Sequence, residues 1–345
     1  MAYPAKSDNS AYKALLADIK AGMPGRLYVF HGEEGYLKAH CLNQLKALLC
    51  QGFEDFNYVF LEGERLTADA LTDALYTLPM GERKLVVVRD YKLMAPAGDL
   101  KDQLADMLAE VPDYVCLVFW FDALEFKADK RLNIYKAVEK HGVLVDFPRA
   151  PASDLIPWLK RHFHARGKGI ETAVCERLLF LCGYDMANLI TEVDKIAAGT
   201  AGERVAPADV EALASRVLEA DVFDLTDCVL AGKLERALSI LRDLLDTRQE
   251  PVAILAAIIR QWQRLYGTKL AMEAGKTEKY ITELCGFRSS YPAKLLMGGA
   301  RGMSVDFLRR AQAWCLECDT SLKSNLGDDG RTLELLLLRL SGKLA

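Results

Sequence analysis

A chain of 345 residues is long enough for two or three domains at roughly 150 residues each, every one able to bury its own core. Its 51% apolar and 27% charged residues exclude wholesale disorder. With 44 basic and 48 acidic side chains the net charge is -4, which excludes a chain-wide positive field that would draw the protein onto nucleic acid unaided. The longest unbroken apolar run, Val252 to Ile259, falls far short of the roughly 18 residues a membrane-spanning helix needs. Met1 to Asn9 carry no basic stretch followed by an apolar one, so a cytoplasmic protein without a secretory leader is expected. Nine cysteines, an odd number scattered along the chain, read as small buried hydrophobes in a reducing compartment and not as a disulfide framework.

From Arg26 to Phe147, β-branched and aromatic runs alternate with helical stretches: Leu27 to Phe30, Tyr58 to Leu61, Leu85 to Val88, Val115 to Phe121 and Val143 to Val145. Nearly continuous apolar strands separated by helices are what a parallel sheet covered on both faces requires, so residues 1–150 are predicted to form an α/β domain. Pro148 to Pro151 reads as a linker, after which the strand signal ceases, and Ser153 is predicted to cap the next helix. The rest is predicted to be helical, with Leu234, Leu238, Leu241 and Leu245, then Leu255, Ile258, Trp262 and Leu265, then Leu333, Leu336, Leu337 and Leu340 at helical spacing. A small helical unit, 151–217, is expected to give way to a longer bundle, 218–345.

The first strand runs into His31-Gly32-Glu33-Glu34-Gly35-Tyr36-Leu37-Lys38, the position of a phosphate-cradling loop in a nucleotide-binding α/β domain. A working loop needs G-x-x-x-x-G-K-[ST] spacing, so that backbone amides wrap the phosphates, lysine reaches their charge and a hydroxyl holds magnesium. Here Gly32 and Gly35 stand too close together, Lys38 is followed by Ala39, and Glu33 and Glu34 repel phosphate. The third strand ends in Arg89-Asp90, where a lone acid beside an arginine is a poor magnesium site and a good turn residue. No catalytic residue, cofactor site or metal site is expected. Cys315 and Cys318 make a single C-x-x-C without a second pair, His162 and His164 point to different sides of a helix, and His31 and His40 have no recognisable nucleophile or carboxylate partner. The acid-free stretch Trp158 to Lys168 offers Lys160, Arg161, Arg166 and Lys168 as candidate phosphate contacts, equally well explained as a solvated helix face. Arg260, Arg264 and Lys269, beside Trp262 and Tyr266, form a weaker basic set.

In order and spacing, four segments give the chain a family likeness: Tyr28 to Leu37, Leu78 to Val88, Gly183-Tyr184-Asp185 through Glu192-Val193-Asp194-Lys195, and Cys318 to Lys323. Spread over about 320 residues, they resemble the delta subunits of the bacterial DNA polymerase III clamp loader. The resemblance implies a three-part AAA+ protein, with an α/β domain, a small helical lid and a helical collar that joins a five-subunit ring. It implies binding and opening of the beta sliding clamp, with no ATP hydrolysis by this subunit. Its partners would be the tau/gamma ATPase subunits, delta-prime and primed DNA in the assembled complex, as part of a nucleotidyltransferase holoenzyme. The family's clamp contact maps to Leu78, Pro79 and Met80. Leu71, Leu75 and Leu78 are predicted to line one side of a helix that Pro79 stops, leaving Met80 as an apolar plug on a projecting turn. Many family members carry a larger aromatic where Met80 stands, and the alternative for this segment is a buried helix-to-strand corner. Long amphipathic patterns including Trp262, Trp314 and Leu335 to Leu338 mark the collar as the assembly element. Other function classes are an active AAA+ or phosphate-loop ATPase, which the loop spacing disfavours, and a helical adaptor outside replication, which would have no affinity for a clamp.

Overall fold

The structure, a computed structural model, describes residues 10–324 and 328–342. The Met1 to Asn9 segment considered above lies outside the described residues. The chain divides into two compact units, one ending at Arg149 and one beginning at Ala150.

The first unit runs α1 (Ser10–Ala21), β1 (Leu27–His31), α2 (Gly35–Leu49), α3 (Glu54–Asn57), β2 (Tyr58–Glu62), α4 (Ala68–Tyr76), β3 (Lys84–Arg89), α5 (Leu100–Ala109), β4 (Val115–Trp120), α6 (Asn133–His141) and β5 (Val143–Asp146). The five strands form one all-parallel sheet in the order β2-β3-β4-β1-β5. Alternate residues of each central strand feed opposite layers. Val29, Val86, Val88, Leu117 and Phe119 pack with Leu71, Leu75, Leu104 and Val138 from α4, α5 and α6. Phe30, Leu85, Val87, Val118 and Val145 pack with Leu15, Cys41 and Leu45 from α1 and α2. Burial on both faces is why these strands read as unbroken apolar runs.

Because every strand points the same way, the sheet has two chemically distinct rims. Residues preceding or opening the strands, such as Asn57 and Lys84, share one rim, and those ending them, such as His31, Arg89 and Asp146, share the other. Strands of five or six residues put those rims about 17–20 Å apart.

The second unit runs α7 (Ala152–Ala165), β6 (Gly169–Ile170), α8 (Thr172–Cys182), α9 (Met186–Gly199), β7 (Arg204–Val205), α10 (Pro207–Leu213), α11 (Leu218–Leu230), α12 (Leu234–Asp246), α13 (Pro251–Glu273), α14 (Glu278–Leu284), α15 (Ser290–Arg301), α16 (Val305–Lys323) and α17 (Asp329–Leu340). Two details depart from the sequence reading. β6 and β7 pair in parallel, two residues each, too short to leave a pattern. Ser153 does not cap α7: Pro151 occupies that position, and the Ser153 hydroxyl instead meets Asp154 Oδ1 at 3.2 Å. Proline suits the position because its missing N–H costs nothing before the first turn.

The expected boundary near Val217 falls inside this unit, where Phe180 of α8 stands edge-on to Phe223 of α11 at 5.0 Å. The landmark at Glu192 is a buried brace, 2% exposed, accepting from the Ser215 amide at 2.9 Å and from Lys195 at 2.8 Å. Trp262 is fully buried in the middle of α13, Leu336 and Leu337 are core, Trp314 and Leu338 are partly exposed, and Leu335 is 48% exposed. All nine cysteines are free thiols. Burial pushes Cys315 up to about 12 and Cys318 up to about 11, leaving both as core residues of α16. Among the described residues no helix is long and apolar enough to cross a membrane.

Candidate functional site

At the carboxyl rim of the sheet, the loop after β1 folds onto its neighbours. Gly32 has φ +103, and a Cβ there would lie 2.5 Å from the Phe147 carbonyl oxygen, so only glycine fits. The Glu34 amide donates to that same carbonyl at 2.8 Å and the Gly35 amide to Glu33 O at 3.2 Å. Lys38 is 2% exposed and its ammonium donates inward, to Gly32 O at 2.8 Å and Phe121 O at 2.5 Å. Burial lowers its pKa, against the pull of Asp122, Asp90 and Glu34. The two glutamates are separated: Glu33 pairs with Arg149 at 2.8 Å in solvent, while Glu34 is 5% exposed.

Asp90, after β3, has φ +52 and accepts from the amides of Asp122 at 2.8 Å, Ala123 at 3.0 Å and Leu124 at 3.0 Å. Burial raises its pKa, but those three amides and Arg89 outweigh it, and the carboxyl ends below its ordinary value. It organises the turn after β4. One sequence reading is corrected here. His31 does have a carboxylate neighbour, Asp146 Oδ1 at 3.6 Å from Nδ1, because β1 and β5 pair these residues in register. Burial still lowers the His31 pKa, which Asp146 opposes.

The opposite rim carries a projecting turn. Thr67 caps α4 by accepting from the Ala70 amide at 3.1 Å, and Leu71 and Leu75 are fully buried against the sheet. The helix ends at Tyr76, so Leu78 does not share its apolar side as predicted. A residue before proline is driven out of the helical region, which moves the stop upstream of Pro79 itself. Leu78 is instead 75% exposed and Met80 48% exposed, with Pro79 between them partly buried. The segment is therefore not a buried corner.

Three polar side chains that sequence reasoning passed over hold the base of this turn. Asn57, 2% exposed, accepts from the Met80 amide at 2.8 Å and donates to the Met80 carbonyl at 2.6 Å. Lys84, 1% exposed, donates to Thr77 O, and Tyr114 Oη donates to Tyr76 O at 3.3 Å. Burial lowers the Lys84 pKa. Phe53 and Phe56, exposed at 47% and 64%, flank Asn57 in sequence. The arrangement presents apolar side chains to solvent from a backbone fixed on both sides, which suits insertion into another protein's pocket.

Three of the four candidate phosphate contacts have partners within the fold. Lys160 donates to Thr172 Oγ1 at 2.7 Å, Arg166 pairs with Asp194, and Lys168 donates to the Thr200 and Gly202 carbonyls at 2.7 Å. Arg161 is exposed and makes no ion pair among the described residues.

Comparison with known proteins gives the same reading along most of the chain. The family model described as "DNA polymerase III, delta subunit" matches residues 28–148, and "DNA polymerase III delta subunit, C-terminal domain" matches residues 219–340. The chain is 27% identical over 331 residues to DNA polymerase III subunit delta of Bacillus subtilis, covering 93% of this chain and 94% of that protein. It is 26% identical over 276 residues to a probable DNA polymerase III subunit delta of Aquifex aeolicus, covering 77% of each. Among solved structures, the Bacillus subtilis DNA clamp loader delta protein superposes with a TM-score of 0.60 at 25% identity, covering 96% of this chain and 99% of that one.

Proposed function

This chain belongs to the DNA polymerase III delta-subunit family of clamp-loader components, and we propose that it binds the beta sliding clamp through Leu78, Pro79 and Met80 and holds the ring open without hydrolysing ATP itself. The observation that carries this reading is the braced turn: two exposed apolar side chains on a backbone held by Asn57, Lys84 and Tyr114. Ordering is largely complete before contact, so the transfer of Leu78 and Met80 into a partner's pocket goes into affinity.

The loop after β1 supports the second half of the reading. Lys38, the side chain that would reach phosphate, is committed to two carbonyls, and the Glu34 amide to a third. On this view ATP turnover belongs to neighbouring tau/gamma subunits, with delta-prime completing the ring. The three-part division into 1–150, 151–217 and 218–345 describes the working parts, and the collar carries the subunit contacts. Exposed Leu316, at 67%, and Leu335 are candidates for them. If primed DNA touches this subunit near α7, Arg161 is the available cation, because Lys160, Arg166 and Lys168 already have partners. A cytoplasmic location follows from the role.

Mixing the purified chain with its clamp, the loader ATPase and delta-prime, followed by native mass spectrometry, tests the assignment. A clamp complex with the chain alone and a five-subunit assembly with the others are expected. An adaptor outside replication would give neither, and an active ATPase would release phosphate when alone.

A further inference from the structure

The carboxy-terminal unit carries a cavity of about 320 Å³, open to solvent, where α8, α11, α13 and α15 approach one another. Phe180, Phe223 and Phe287 supply apolar wall, and Gln261, Arg264, Arg288 and the Arg260-paired Glu219 supply polar groups. Its cations are placed on rings: the Arg264 guanidinium lies 4.7 Å from the Phe287 centroid and that of Arg288 lies 5.3 Å from Tyr184.

Two of these groups have no hydrogen-bond or ion-pair partner among the described residues. Arg264 is partly buried, yet among the described residues no carboxylate comes within ion-pairing distance of it, whereas Arg260, one turn earlier, pairs with Glu219 at 3.1 Å. Burial, helped by Arg260, lowers the Arg264 pKa, with Cys285 and Glu219 opposing. Gln261 is 5% exposed as a residue, and its carboxamide, which makes no hydrogen bond among the described residues, still reaches solvent in the cavity. A polar group on a cavity wall that has no hydrogen-bond partner within the fold can meet a ligand without giving up an existing bond. Gln261 and Arg264 sit three apart on α13 and so share one face.

We propose that this cavity binds a carboxylate carried by a partner polypeptide, an acidic side chain or chain terminus next to an apolar residue. The guanidinium fork matches a carboxylate in two parallel hydrogen bonds. Phe180 and Phe223 take the apolar neighbour, and the Gln261 carboxamide meets the adjoining peptide group. A nucleotide fits less well. Phe180 and Phe223 meet edge-on at 87°, and Phe287 and Tyr184 each have a face occupied by a guanidinium, so the walls offer no pair of parallel plates for a base. The inference does not depend on how the chain binds a clamp.

The test uses the full chain and three small probes, N-acetyl-phenylalanine, its uncharged amide and phenyl phosphate, with binding followed by NMR titration. The carboxylate is expected to bind at least tenfold more tightly than the amide and at least as tightly as phenyl phosphate. Arg264→Met and, separately, the surface change Arg288→Met should each erode the preference for the acid. Without ligand, Arg264→Met should melt no lower than the wild type, because it removes an uncompensated charge. Equal binding of acid and amide, or no binding of either, overturns the proposal. So does tenfold tighter binding of phenyl phosphate, which would make this a phosphate site. A drop of several degrees in the Arg264→Met melt also overturns it, since the guanidinium would then be a structural prop against Phe287.

Discussion

Replacing Leu78 and Met80 together by serine separates a docking turn from a structural corner, because the structure sets different magnitudes for the two roles. Leu78 is 75% exposed and Met80 48% exposed, so folding already uses little of the first and about half of the second. Full burial of such a side chain stabilises by about 1.5 to 3 kcal/mol, so enclosing the remaining surface in a clamp pocket amounts to roughly 2 to 4 kcal/mol for the pair. That is a loss of about 30- to 700-fold in affinity on substitution. Surface plasmon resonance on immobilised clamp reads the loss, and a thermal melt of the same sample should move little. Leu75→Ala supplies the contrast. Leu75 is fully buried under the same turn, and its truncation should cost about 2 to 5 kcal/mol of stability. Unchanged clamp affinity in a well-folded Leu78→Ser/Met80→Ser protein refutes the docking reading.

Asn57→Ala should cost about 1 to 3 kcal/mol of stability and lower clamp affinity several-fold with Leu78 and Met80 intact, and Asn57→Asp, which sets a buried carboxylate oxygen against the Met80 carbonyl, should lose at least as much; paired melts and binding curves check both. Asp227 is exposed at the surface, yet partial desolvation and the neighbouring Asp224 push it up to about 6 against Arg177, so it makes a small, solvent-screened contribution to stability that is full below the ordinary 3.8 and is lost as pH rises through about 6. Asp227→Asn should therefore melt higher than wild type at pH 7.5, with the gap closing by pH 4, as calorimetry across that range would read. Millimolar ATP with magnesium should leave the melt of the isolated chain unmoved, since a ligand at a hundred times its dissociation constant would add about 2.7 kcal/mol. A fragment ending at Arg149 has both layers of its own core and should melt cooperatively and bind the clamp within about threefold of the full chain, because the braced turn lies wholly inside it.

The sequence made the sheet legible because its central strands are buried on both faces. Val86, Val87 and Val88 are apolar in succession for that reason, and alternation would have been ambiguous. The end of α4 was misplaced because the hydrophobic period continues through Leu78 while the backbone does not, and the signal that decides is the residue before a proline. The brace was invisible for a different reason. Asn57 and Lys84 act on Met80 and Thr77, contacts that neighbouring residues in sequence do not announce. Lys84 did leave a clue: a lysine opening a run of buried apolar residues needs an internal carbonyl for its ammonium. The basic stretch from Lys160 to Lys168 misled in the converse way, for adjacency in sequence says nothing of where each cation turns, and three of its four turn to separate partners within the fold.

The parallel sheet also explains how the proposed docking turn stands apart from the loop after β1. Loops that follow strands gather at one rim and segments that precede strands gather at the other, so the two sets share no side chains here. Lys38 pins Gly32 and Phe121 carbonyls at the carboxyl rim, and Lys84 pins the Thr77 carbonyl at the amino rim. Each buried ammonium replaces lost hydration with backbone oxygens, and each fixes one loop. Once Lys38 serves its own loop it is withdrawn from any phosphate, and that change leaves the geometry of Leu78 and Met80 untouched because their supports, Asn57, Lys84 and Tyr114, reach the turn from β-strand starts about 17–20 Å away.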